Sequence, residues 1–163
     1  GFDMLIDAFY QVQKQIDCKL VIFGEGELRT NLEKQIESLE LQGSISLPGY
    51  SENVIAEVKA ADLFVLSSRF EGSPNAIVEA MSVGTQVVAF DCPHGAREIL
   101  QDGKVAPLVE YLDVDGLAKA IVASLDQLGS ETSTRLTEGV KQFGSANAAS
   151  KYKTLLLGSG IDV

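Results

Sequence analysis

Leu63-Phe64-Val65-Leu66-Ser67-Ser68-Arg69-Phe70-Glu71-Gly72-Ser73-Pro74-Asn75-Ala76-Ile77-Val78-Glu79-Ala80-Met81 reads as a strand, a glycine-containing turn and a helix in direct succession. The apolar Leu-Phe-Val-Leu centre of residues 62–67 suits a strand covered on both faces. Ser73 is placed to cap a helix from about Pro74 to Val83, because proline at the first helical position lacks only an N–H that would be unpaired there.

The same unit repeats outward from this stretch. Phe2, Leu5, Phe9, Val12 and Ile16 recur every three or four residues, the spacing of an amphipathic helix. Residues 19–23 form a short apolar strand ended by Gly24. Leu28, Leu32, Ile36 and Leu39 mark a second helix, with Glu33, Lys34 and Glu37 on its wet face. Residues 44–47 read as a strand ended by Pro48 and Gly49, after which Ser51 is placed to cap a helix carrying Val54, Ile55 and Val58.

Downstream come a strand at 86–90, a short helix at 95–100 and a last strand within 105–109. Pro107 cannot donate to a ladder, so that last strand should be an edge or begin late. An amphipathic stretch at 114–128, a polar connection at 129–134 and a helix opened by Ser145 complete the chain. Short strands alternating with helices predict an α/β domain with a Rossmann-like, doubly wound parallel sheet. Ligands of such sheets bind beyond the carboxyl ends of the strands.

Composition narrows the class. The 163 residues fit one domain, and with 45% hydrophobic and 22% charged residues the chain can bury a sizeable core. No apolar run approaches the roughly 20 residues that span a bilayer, and no signal segment opens the chain. A net charge of -10 argues against a nucleic-acid or anionic-membrane surface. A small anionic ligand remains compatible, because helix N-termini and a few local cations can hold one. Cys18 and Cys92 read as buried, reduced thiols of a cytoplasmic protein, and the single histidine speaks against a zinc centre or other metal site.

The chemistry concentrates in the opening stretch. The free N–H groups and dipole of the helix start favour an anion. Residues 76–83 are apolar nearly all round, which predicts a buried helix, and Glu79 stands in it without a Lys or Arg three or four residues away. A carboxylate so placed is costly unless something donates to it. Helical side chains lean toward the N-terminus, so Glu79 points toward the anion site from about 9 Å along the axis. That offset suits a grip on two ribose hydroxyls, with Glu71 facing the far end of the same ligand. Pairing of Glu79 with a distant Arg or backbone N–H, and a solvated loop role for Glu71, are the plainer alternatives. Arg69 is a candidate support for a diphosphate, with solvated or Glu-paired readings beside it. His94 reads as a loop residue, since a lone histidine without an orienting partner is weak evidence of catalysis.

The Glu71-x7-Glu79 pattern, set in Ser-Arg-Phe-Glu-Gly-Ser-Pro-Asn-Ala-Ile-Val-Glu-Ala-Met, resembles the signature of the group 1 retaining glycosyltransferases, which have the two-domain GT-B fold. Gly1 to Phe9 resembles the first helix of that family's C-terminal domain. Lys19-Leu-Val-Ile-Phe-Gly-Glu-Gly-Glu-Leu resembles its second strand and glycine turn, and Ser46-Leu-Pro-Gly-Tyr the strand and loop that follow. Asp91-Cys-Pro-His-Gly-Ala-Arg-Glu-Ile-Leu, with Asp102-Gly-Lys, resembles the glycine-containing segment before the last strand. Nearly the whole chain is covered.

By that resemblance the chain is a single sugar-nucleotide-binding domain, with the first strand and the N-terminal acceptor domain absent. Glu79 would hold the ribose and Glu71 would contact the transferred sugar as the catalytic-site carboxylate. Gly72, Ser73, Pro74 and Asn75 would face the sugar and diphosphate, while Gly24, Pro48, Gly49 and Tyr50 would lie near the nucleobase. The donor implied is a UDP-linked nucleotide-sugar, with no metal or other cofactor. The acceptor implied is a glycan or a lipid-linked glycan in bacterial polysaccharide biosynthesis.

Family members also carry an Arg and a Lys on the segment before Gly1, so the isolated chain is expected to be inactive. A parent enzyme would be cytoplasmic, or peripheral at the inner membrane face through its other domain. A dinucleotide-binding oxidoreductase is rejected, since Arg29 replaces the third glycine of Gly24-Glu-Gly26-Glu-Leu-Arg29 and two glutamates would crowd a pyrophosphate. A non-catalytic truncated paralogue or scaffold module, and a sugar-nucleotide epimerase, are the other readings.

Overall fold

The computed structural model describes residues 1–127 together with 136, 138–140 and 143. The polar connection at 129–134 and the helix expected from Ser145 lie outside the described residues, apart from their neighbours named above. Helices and strands alternate strictly: α1 Phe2–Val12, β1 Leu20–Phe23, α2 Arg29–Ser38, β2 Ile45–Gly49, α3 Val54–Ala60 and β3 Leu63–Leu66 come first. α4 Asn75–Ser82, β4 Gln86–Phe90, α5 Ala96–Ile99, β5 Leu108–Val109 and α6 Val114–Asp126 follow.

All ladders are parallel, as strand–helix alternation requires. β1 pairs with β2, and β3, β4 and β5 form a second ladder in that order. One edge of β1 and one edge of β3 therefore lack a ladder partner among the described residues. β5 begins after Pro107, as the missing donor predicts, although the Pro107 carbonyl still accepts from the Ala89 amide at 3.1 Å.

β4 explains the two-faced core. Val88 and Phe90 pack into one cluster with Ile6, Phe9 and Val12 of α1 and Leu117 and Ile121 of α6. Val87 and Ala89 point the other way, into a cluster with Ile77, Ala80 and Met81 of α4 and Ile99 and Leu100. Period-two alternation divides one strand between two apolar layers, so each side needs a helical cover.

Local boundaries differ from expectation in three places. α1 is buried over a broader arc than a single stripe: Ile6 and Ala8 are fully covered, whereas Phe2 is 46% exposed. The N-cap of α3 is Asn53, whose side chain accepts from the Ala56 amide, and not Ser51. Ser51 instead accepts from the Asn53 amide at 3.2 Å, so two cap-forming residues act in series. α2 begins at Arg29, and Leu28 is left in solvent at its start. Both cysteines are free, Cys92 buried and Cys18 half-buried, and burial pushes both thiols upward in pKa.

Candidate functional site

Two sets of expected residues gather at carboxyl ends of strands. At the end of β1, Gly24 adopts a φ of 118° and its amide donates to the Gly49 carbonyl at 2.7 Å. A side chain could not easily follow that backbone path. The bond brings Gly24 beside the 48–50 loop, in which Gly49 is buried while Pro48 and Tyr50 are exposed. Arg29 secures this corner from the helix side, donating to the Leu47 carbonyl at 2.7 Å and to Glu25 and Glu33 at 2.7 and 2.8 Å. Tyr50 is 84% exposed, an aromatic face on which no ring among the described residues stacks.

The second set lies between β3 and α4. Ser67 is buried, and the Ser68 hydroxyl donates to Oε1 of the half-buried Glu71 at 2.6 Å. Gly72 and Ser73 are exposed, and Pro74 is buried. Pro74, with a ψ of 72°, occupies the cap itself, and α4 starts one residue later than the sequence suggested. Ser73 makes no side-chain cap; its hydroxyl turns toward Asn75 Oδ1 at 3.4 Å. The Asn75 amide is engaged by the Ser73 carbonyl at 2.8 Å, which tightens the turn.

Glu79 requires the main correction. It is exposed, not buried. Asn75, Glu79 and Ser82 fall on one helical stripe and are all exposed, while Ile77, Ala80 and Met81 are covered. The expectation of a costly buried carboxylate therefore gives way to a simpler arrangement. α4 keeps one polar stripe open, and the stripe runs from Glu79 toward the loop that carries Glu71.

The surroundings of that loop were less legible. Gly95 has a φ of 93°, and a Cβ built on it would lie 2.5 Å from Pro74 Cδ. His94 also has a positive φ and packs edge-on against Phe70, with ring centroids 5.5 Å apart. It is a loop residue braced by an aromatic ring. A shallow cleft of about 790 Å³ runs along the loops after β4 and β5, lined by Asp91, His94, Arg97, Glu98, Asp102 and Tyr111 among others. Glu71 and Glu79 do not line it. Arg97 is paired with both Asp91 and Asp102, so its charge is already matched.

Arg69 is likewise paired, with Asp3 of α1 and not with a glutamate. Its guanidinium grips Asp3 of α1 with two bonds of 2.8 and 2.6 Å. Arg69 donates hydrogen bonds that lower the Asp3 pKa from 3.8 to about 2. Folding thus favours the ionised carboxylate. The contribution is complete above pH about 4 and fades as pH falls through about 2. Both side chains are half in solvent, which keeps the effect small. An Asp3→Asn chain should melt about 2 °C below the parent at neutral pH. That gap should close in melts taken near pH 2, and a gap independent of pH would contradict this account.

Among the described residues there is no cluster of His, Cys, Asp or Glu able to hold a metal ion, and no helix is long and apolar enough to cross a membrane.

Comparison with known proteins follows the same lines. Residues 1–127 match the family model described as glycosyl transferases group 1. The poly(glycerol-phosphate) alpha-glucosyltransferase of Bacillus subtilis (strain 168) is 37% identical over 119 residues, which are 72% of this chain and 18% of that protein. The poly(ribitol-phosphate) alpha-N-acetylglucosaminyltransferase of Staphylococcus aureus (strain COL) is 28% identical over 157 residues, 94% of this chain and 32% of that protein. The chain thus spans less than a third of the length of either relative.

A crystal structure of a mutant S. aureus TarM in complex with Fondaparinux, alpha-GlcNAc-glycerol and UDP superposes with a TM-score of 0.86 at 26% identity, over 94% of this chain and 32% of TarM. Anabaena HepE in complex with UDP gives 0.83 at 23% identity, over 98% of this chain and 45% of HepE, a likeness of fold. The parallel α/β architecture is that of a Rossmann-like half of the GT-B fold. With its Glu71-x7-Glu79 loop at the carboxyl end of β3 and a family match over residues 1–127, the chain belongs to the group 1 glycosyltransferases.

Proposed function

We propose that this chain is the donor-binding domain of a retaining glycosyltransferase that transfers a sugar from a UDP-linked donor to a glycan or lipid-linked acceptor in the cytoplasm. The observation that carries the reading is the open polar stripe of α4. Glu79 is exposed on it, and it leads to the loop where Ser68 holds one oxygen of Glu71. A carboxylate offers two acceptor oxygens to two adjacent hydroxyls, the chemistry a ribose presents. Glu71 then meets the transferred sugar, and Gly72 lets the diphosphate approach the backbone without a side chain in the way.

Tyr50 and Gly24 supply the base-facing wall, with Pro48 and Gly49 shaping it. Retention follows in this reading from attack on the same face as the departing diphosphate, with neither glutamate serving as the base. A second domain, bearing the acceptor, and an Arg and Lys from the segment before Gly1 complete the enzyme. The UDP held by TarM in its structure and the glycosyl transfer named for the Bacillus protein support the reading.

Calorimetric titration of the chain with UDP, UDP-glucose and UDP-N-acetylglucosamine tests it. Glu79→Ala should weaken UDP itself by at least about tenfold, the loss expected when charge-assisted hydrogen bonds disappear. Glu71→Ala should leave UDP nearly unchanged and reduce only the extra affinity contributed by the sugar. Equal UDP affinity in the parent and the Glu79→Ala chain would remove the ribose assignment.

A further inference from the structure

Side chains, and not a ladder, connect the loop that carries Glu71 to the elements around it. The Arg69 guanidinium holds the carboxylate of Asp3 in the first turn of α1. The backbone carbonyl of Arg69 accepts from the Tyr111 hydroxyl at 2.7 Å, from the turn between β5 and α6. The Gln35 amide of α2 donates to the Asp3 carbonyl at 2.9 Å and to Asp7, one turn further along α1, at 2.7 Å. These contacts run from α2 through α1 to the β3–α4 loop and on to β5. They span the division between β1 and β3, where no ladder bond does so.

The turn that presents Tyr111 is itself strained. The Asp113 amide donates to the Glu110 carbonyl at 3.0 Å, and Leu112 inside that turn has a φ of 64°. A bulky residue in the left-handed region is unfavourable. Leu112 is 44% exposed, so burial of its side chain does not offset the strain. The turn is held from both ends instead. Asp113 caps α6 by accepting from the Gly116 amide at 2.9 Å, and Tyr111 reaches the Arg69 carbonyl. Arg69 is thus fixed through its side chain and its main chain at once, two residues before Glu71.

We infer that Asp3, Arg69 and Tyr111 are positioning residues, a clamp that orients the Glu71 loop toward the sugar of the donor. The inference rests on the donor-site reading above and adds the residues that act through Glu71. None of the three has to touch the nucleotide. Their loss should therefore change discrimination between UDP-sugar and UDP, and leave affinity for UDP alone within about twofold.

The test uses Tyr111→Phe, Arg69→Gln and the pair Asp3→Asn with Arg69→Gln, each checked for an intact melt. Amide hydrogen exchange across residues 68–73 is read without ligand, and calorimetry is then run with UDP and with the tighter-binding of UDP-glucose and UDP-N-acetylglucosamine. Exchange at 68–73 should rise about tenfold in each variant, and the UDP-sugar preference over UDP should fall about fivefold. Because Asp3 and Arg69 act together, the double variant should be no worse than Arg69→Gln alone.

Unchanged exchange overturns the clamp whatever the nucleotide does. Faster exchange with an undiminished sugar preference overturns its positioning role, as does a parent chain that binds UDP but gains nothing from the sugar. A parent chain that binds no nucleotide instead sinks the donor-site reading, and the exchange measurement still decides whether the clamp orders the loop.

Discussion

Phe90→Ala is expected to cost about 4 kcal/mol of folding stability. Phe90 is fully covered and packs with α1 and α6 on the face of β4 opposite α4. Its neighbours belong to separate elements tied to a sheet with interrupted ladders. They can close only part of the space left by the ring, so both the transfer loss and the residual cavity contribute. Domains of this size have stabilities of about 5–15 kcal/mol, so the variant should retain only a fraction of its stability. The melting temperature should fall by roughly 12 °C for a chain of this length. Phe70→Ala is the matched control: Phe70 is 66% exposed, and its removal should shift the melt by about 1 °C or less. Equal shifts in the two variants would mean that β4 does not carry the core.

Much of this fold was readable because β4 and the β3–α4 unit declare themselves locally. Short apolar runs bounded by glycine, proline and cap residues place all five strands, and Pro107 places the late start of β5. What neighbours a strand is a non-local property, so alternation alone could not show where the ladder between β1 and β3 is interrupted. The site divides in the same way. The 71–79 segment is contiguous and its residue types identify it. The Asp3–Arg69 pair joins residues 66 positions apart, and Tyr111 meets Arg69 across 42, separations that carry no periodic signal.

The exposure of Glu79 is legible in the sequence, because Asn75, Glu79 and Ser82 fall on one stripe by spacing even though the helix as a whole is rich in apolar residues. The cap shift from Ser73 to Pro74 is not legible in that way. It depends on the ψ of one proline, which tertiary contact with the Gly95 loop helps to fix.

That contact makes Gly95→Ala the other severe substitution, and one that reaches the site. With a φ of 93° and a ψ of -38°, Gly95 sits in a backbone region that costs an L-residue about 1–3 kcal/mol before any neighbour acts. The added Cβ would then lie 2.5 Å from Pro74 Cδ, closer than two carbons can approach. Pro74 is buried at the cap of α4, and its ring has no flexible end that could swing aside. The loop after β4 and the start of α4 must therefore separate, for a combined loss of about 3 kcal/mol. Because the cap of α4 also ends the Glu71 loop, the separation should reach ligand affinity as well as the melt. UDP-sugar binding should weaken at a temperature where the variant is still fully folded. Pro74→Ala in the Gly95→Ala background removes the ring carbons that clash, and should recover part of the lost stability. Strict additivity of the two substitutions would show that the strain lies in the backbone of Gly95 alone, and that the two loops do not bear on each other.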